Sequence, residues 1–130
     1  MDKQEQALGL LEAAVTSMGG AMRTGQQEMV KHVVSALEDE KNLLVQAGTG
    51  TGKSMGYLIP ALAHAQTSAK PVIVSTATLA LQSQIVGRDV PRLLESLKGK
   101  LSRPMDVALL KGRSNYLCQY KLGGGYPDDE

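Results

Sequence analysis

The sequence predicts an α/β domain with a parallel sheet, preceded by N-terminal helices. Three observations carry this expectation. Short apolar runs, Leu43-Leu44-Val45, Val72-Ile73-Val74 and the stretch from Asp106 to Leu110, alternate with segments of helical periodicity. A glycine-rich turn, Ala47 to Ser54, joins the first of those runs to a helix. The chain is 42% hydrophobic with no Phe and no Trp, so its core must rest on Leu, Val, Ile, Met and Ala. Its 130 residues suit about one small domain.

Each element follows from its pattern. Residues 3–18 read as an amphipathic helix, with Leu8, Leu11, Val15 and Met18 near one face, and Gly19-Gly20 ends it. Thr24 is placed to cap a second helix, from about Gly25 to Asp39, whose Met29, Val33, Val34 and Leu37 face inward. Asn42 to Gln46 is the first expected strand. The helix after the glycine-rich turn, Met55 to Ala65, carries Leu58, Ile59, Leu62 and Ala65, and accepts Pro60 only near a kink or in a first turn. Val72 to Val74 is the second strand. Leu79 to Val86 forms a helix, interrupted near Pro91 and resumed through Leu97. Lys98 to Pro104 reads as a basic linker, Asp106 to Leu110 as the third strand, and the rest as loop. Three strands make a thin sheet. None ends in paired acidic residues that would hold Mg²⁺, and Asp128-Asp129 lies in a Gly/Pro-rich tail. The chain therefore reads as the N-terminal piece of a longer protein.

Ala47-Gly48-Thr49-Gly50-Thr51-Gly52-Lys53-Ser54 has the composition of a phosphate-binding loop. Glycines remove Cβ atoms, so successive backbone N–H groups can converge on one anion. The helix that follows turns the positive end of its dipole toward the same anion. Lys53 would reach the β- and γ-phosphates, and the Ser54 hydroxyl would join the shell of a Mg²⁺ ion that keeps most of its waters. The bland reading is a flexible turn between two core elements, which requires neither Lys53 nor Ser54. Gly48, Gly50 and Gly52 alternate, so they do not match the dinucleotide pattern Gly-x-Gly-x-x-Gly.

The net charge of +1 conceals an asymmetry. Residues 1–41 have a balance of −3, residues 42–127 of +7, and the last three of −3. A basic middle suits a nucleotide or nucleic acid; a solvated basic surface accounts for it equally well. The single cysteine, Cys118, leaves no internal disulfide framework. No apolar run reaches the roughly 18 to 20 residues of a membrane span, and Asp2 and Glu5 do not suit a secretion signal. A cytoplasmic address is expected.

Three further motifs bear on chemistry. In Arg23-Thr24-Gly25-Gln26, the Gln26 amide offers a donor and an acceptor to an adenine edge, with Arg23 beside it; a helix cap is the commoner use of a polar residue there. Ser75, Thr76, Thr78 and Gln82 cross from an expected strand end into a helix, where hydroxyls and N–H groups suit nucleic-acid phosphates; capping by Thr76 or Thr78 is compatible with that. Lys111 to Cys118 is the last motif. A lone cysteine is more often a small buried hydrophobe than a metal ligand.

In this order, from Arg23 to Cys118, these segments resemble the DinG branch of the XPD/DinG-type superfamily 2 DNA helicases, and most of all the DinG-like proteins of actinobacteria. The resemblance matches Arg23-x-x-Gln26 to the adenine-reading motif, Ala47 to Ser54 to the phosphate loop, and Ser75 to Gln84 to the motif lining the single-strand path. It implies a RecA-like motor domain, its N-terminal part at residues 23–110, after an N-terminal helix at 1–22. It also implies an iron–sulfur insertion beginning at 111–130, with Cys118 a ligand of a 4Fe–4S cluster. The implied activity is ATP- and Mg²⁺-dependent 5′ to 3′ translocation on single-stranded DNA, with unwinding of forked or tailed duplexes in repair and replication. The family's Asp-Glu-Ala-His motif, further cysteines and second motor domain are not in this sequence. By itself the chain is expected to bind nucleotide weakly at most, hold no cluster and unwind nothing. A nucleotide-binding regulatory fragment and a small-molecule kinase with the same loop remain alternatives.

Overall fold

The computed structural model describes residues 2–48, 52–68 and 70–124. Its regular elements are all helical: α1 (Lys3–Ser17), α2 (Thr24–Glu38), α3 (Lys53–Thr67), α4 (Leu79–Gln84), a wide π-helical turn (Ile85–Asp89), α5 (Val90–Ser96), a 3₁₀ turn (Arg113–Asn115) and α6 (Gln119–Leu122). The helices expected from periodicity are all present, within two residues at most boundaries.

α1, α2 and α3 pack on one another, and α5 covers α1. Ala7, Leu11, Ala14 and Val15 of α1 meet Val30 and Val34 of α2 and Leu58, Ile59, Leu62 and Ala63 of α3, joined by Ile85, Leu93 and Leu97. Gly56 sets how closely α2 and α3 approach: a Cβ there would lie 2.5 Å from Met29 Sδ and 3.3 Å from Met29 Cβ. Two polar ties close the far edge of the bundle: Gln4 Nε2 donates to Ser35 Oγ at 2.6 Å, and Lys3 pairs with Glu38 at 2.8 Å.

Helix ends follow backbone rules. α1 stops as the glycine pair predicts: Gly19 is left-handed, at φ 75°, and Gly20 N–H reaches back to Val15 O at 2.9 Å. α2 closes the same way through a non-glycine residue, Glu40, at φ 51°, with Lys41 N–H on Ala36 O at 3.0 Å. Thr24 is the first residue of α2 rather than its cap; Arg23 holds the cap position and makes no side-chain cap bond. Pro60 lies inside α3, beyond the first turn, and is fully buried. At Pro91 the chain avoids the helix-interior problem differently. The wide turn bonds Val90 N–H to Ile85 O, and the proline then falls in the first turn of α5, where a missing N–H is tolerated.

The expected parallel sheet is not there. Among the described residues no strand is formed, and 42–46, 72–74 and 106–110 run as irregular, largely exposed segments. Leu44 is 100% exposed, Ile73 88% and Leu110 85%. The physical reason is partnership. A helix satisfies its backbone locally, whereas a three-residue apolar run needs a neighbouring strand and cover on both faces. Here α1, α2, α3 and α5 bury their apolar stripes against each other. The fold class is corrected accordingly, from α/β to an assembly of helices with irregular connections.

Candidate nucleotide site

The site is built at the N-terminal end of α3. Gly52 enters the helix in the left-handed conformation, φ 74° and ψ 47°, which a glycine adopts at little cost. No side chain caps the helix there. Only the fourth N–H, of Gly56, turns back to Gly52 O, at 3.2 Å. The leading N–H groups of a 15-residue helix thus point outward with the dipole's positive end behind them. Lys53, the first helical residue, is exposed, and Ser54 is half-buried.

Gln26 comes to this end from α2. It is 5% exposed, the one buried polar residue of the described chain. Its Nε2 donates to Gly52 O at 3.2 Å, while its Oε1 is buried with no partner. The two residues fit closely: a Cβ on Gly52 would collide with Gln26 Nε2 and lie 3.2 Å from its Cδ. Arg23 and Gly48 are also engaged. Ala47 is half-buried and Gly48 exposed. Thr49, Gly50 and Thr51, the middle of the expected phosphate loop, lie outside the described residues. The fold therefore brings Gln26, Gly52, Lys53 and Ser54 to one helix end, although Gln26 and Gly52 are 26 positions apart.

Residues 75–82 are arranged around α4 instead. Thr78 Oγ1 accepts from Leu81 N at 3.2 Å, so it caps α4, and Thr76 Oγ1 donates to Thr78 O at 3.1 Å. Ser75 is exposed. Gln82 Nε2 donates to Leu110 O at 3.3 Å, tying α4 to the segment before Lys111. Cys118 is a free, exposed thiol next to the 3₁₀ turn, where Lys111 N–H meets Tyr116 Oη at 2.8 Å. Among the described residues no three of His, Cys, Asp and Glu gather as a metal site, and no helix is long and apolar enough to cross a membrane.

One cluster has no counterpart in the sequence reading. At the C-terminal end of α3, Arg103 Nη2 donates to Ala65 O and, at 3.1 Å, to Ser68 O. Gln66 Oε1 accepts from Ser102 Oγ (2.7 Å) and Arg103 N (3.0 Å), and its Nε2 donates to Arg103 O (3.0 Å). The stretch expected to be a basic linker is thus strapped to the helix. The clue available in sequence was only that arginine favours the negative end of a helix dipole, and it does not say which helix.

The profile of the DEAD/DEAH box helicase family matches residues 23–116. The "ATP-dependent helicase DinG" of Mycobacterium tuberculosis is 55% identical over 113 residues, covering 87% of this chain and 17% of that protein. The "ATP-dependent DNA helicase YoaA" of Escherichia coli is 46% identical over 108 residues, 79% of this chain and 16% of its own. The "3'-5' exonuclease DinG" of Bacillus subtilis is 43% identical over 104 residues, 80% and 11% respectively. The chain thus spans 17% of the length or less of these curated relatives. No solved structure matches it.

Proposed function

We propose, because this chain belongs to the DEAD/DEAH box helicase family, that it is the nucleotide-grasping part of an ATP-driven DNA helicase of the DinG type. The observation that carries the reading is the bare N-terminal end of α3, entered through a left-handed glycine and overlooked by the Gln26 amide.

These residues fit MgATP. The outward N–H groups of α3 would receive phosphate oxygens, with the loop glycines Gly48, Gly50 and Gly52 keeping side chains out of the way. Lys53, exposed at the helix start, would neutralise charge on the β- and γ-phosphates. Ser54 would offer its hydroxyl to Mg²⁺, which supplies charge neutralisation between the phosphates when bound. Thr49 and Thr51 complete the loop, and Ala47 and Arg23 flank the site. Gln26 Oε1, a buried acceptor without a partner, is suited to the exocyclic amine of adenine. Guanine presents an acceptor there instead, so this amide selects ATP over GTP.

DNA is the proposed partner, first as a single strand translocated 5′ to 3′ and, in the whole enzyme, as forked or tailed duplexes met in repair. The contact residues are Ser75, Thr76, Thr78 and Gln82. Thr78 accepts a bond as a cap, which leaves its proton for a phosphate, whereas the Thr76 proton already goes to Thr78 O. Thr78 and Gln82 are therefore the stronger pair. Residues 23–110 are assigned to the first motor domain and 111–130 to the start of a cluster-bearing insertion, in a cytoplasmic enzyme. A 4Fe–4S cluster takes about four ligands, and this chain supplies one cysteine. By itself it does not make a cluster site, and Cys118 is proposed as a single ligand.

Calorimetric titration tests the nucleotide reading. MgATP is expected to bind the wild-type chain and to outcompete MgGTP, and Gln26→Leu to lose that preference while keeping its melting temperature. Equal binding of both nucleotides by the wild type, or no heat with either, would overturn it.

A further inference from the structure

We propose that Gln66 and Arg103 form a latch through which the phosphate-loop helix controls the segment leading to Cys118. The latch stands on its own geometry; only its trigger rests on the nucleotide reading above. α3 is a continuous helix of 15 residues with Gly52 and Lys53 at one end and Gln66 at the other, a rod of about 22 Å. At its far end one amide and one guanidinium seize a short stretch of chain. Gln66 uses both its oxygen and its nitrogen on Ser102, Arg103 and the Met105 sulfur, and Arg103 returns two bonds to carbonyls of the last turn and cap. Leu101 and Met105 sit against the core on either side. Beyond Met105 the chain has no regular structure until Arg113, and Gln82 on Leu110 O is its next tether.

The consequence is mechanical. Residues 102–105 follow α3 as one body, because freeing them means stripping the carbonyls of a helix end of their donors as well as breaking the Gln66 bonds. A tilt of α3 on closing around a phosphate is then passed to 106–118, the part of the chain with few anchors of its own. Arg103 also leaves the pool of cations available to a nucleic acid, since its guanidinium is spent on α3.

Cys118 is the chain's single cysteine and is exposed, so a fluorophore placed on it reports from the end of that segment. Two measurements decide the matter. Hydrogen exchange at the amide of residue 103, which donates to Gln66 Oε1, is expected to be about tenfold faster in Arg103→Ala and in Gln66→Ala, with α1 and α2 protection unchanged. MgATP is expected to shift the label's emission in the wild type but not in either variant, with MgATP affinity held within about twofold. Where an alanine variant fails to fold, Arg103→Lys, which keeps the charge but not the guanidinium nitrogen that bonds both carbonyls, and Gln66→Glu take its place. Unchanged exchange at the residue 103 amide in both variants overturns the latch. An emission response that survives in both variants overturns the transmission. Failure of the wild type to bind MgATP removes the trigger and is seen separately, while the exchange data still judge the latch.

Discussion

The two ends of α3 are built on opposite plans. Its C-terminal end is saturated: an arginine sits on its carbonyls, a glutamine anchors the crossing chain, and Thr67 Oγ1 donates to His64 O at 3.3 Å. Its N-terminal end has no side-chain cap at all, although a capping Ser, Thr, Asp or Asn stabilises a helix by about 1 kcal/mol. The comparison teaches where this chain forgoes stability. α1 uses Asp2, and α4 uses Thr78, to cap their first turns. At Gly52, the entrance to the helix that follows the glycine-rich loop, open N–H groups stand beside an exposed lysine, and a Cβ on the glycine would collide with Gln26; α2 also lacks a side-chain cap, but it is entered through the extended Arg23.

The sharpest way to break the comparison is at the open end. Lys53→Ala is expected to weaken MgATP binding by about 10- to 100-fold, the worth of a hydrogen bond to a charged group, with little change in the melting temperature; unaltered affinity in a titration would remove Lys53 from the site. Gly52→Ala comes next. It forces a left-handed alanine and pushes Gln26 aside, so chemical denaturation is expected to show a loss of about 1 to 3 kcal/mol, together with weaker nucleotide binding. The closed end gives a purely structural loss: Arg103→Ala should cost about 1 to 2 kcal/mol, partly relieved by high salt, with MgATP affinity unmoved. The smallest effect has the opposite sign. Glu40 closes α2 in the left-handed region, so Glu40→Gly should raise stability by about 0.5 to 1 kcal/mol in the same denaturation assay.

The helices were legible because their apolar residues recur at helical spacing over several turns. Leu11 and Val15 in α1, and Leu58, Ile59 and Leu62 in α3, are buried as that pattern requires. The strands were misread because Leu43-Leu44-Val45 and Val72-Ile73-Val74 are too short to show any period, and an apolar triplet says nothing about whether a neighbour exists to pair with it. Family membership was readable from the order of the motifs, and so was the expectation that Gln26 and the loop belong together. The latch was not, because its halves are 37 positions apart and neither Gln66 nor Arg103 belongs to a motif. Sequence logic also gave Thr24 the cap of α2, on residue type alone, where the backbone turns one residue earlier.

The wide turn before Pro91 has a geometrical effect beyond making room for the proline. In an unbroken α-helix, at about 100° per residue, Leu93 would stand about 80° around the axis from Ile85. The π-helical turn takes up one residue, which leaves the two about 20° apart, with Leu97 a turn further on. Ile85, Leu93 and Leu97 are all buried. The bulge thus works as a phase corrector, rotating α5 until Leu93 and Leu97 fall in line with Ile85 at the start of the turn.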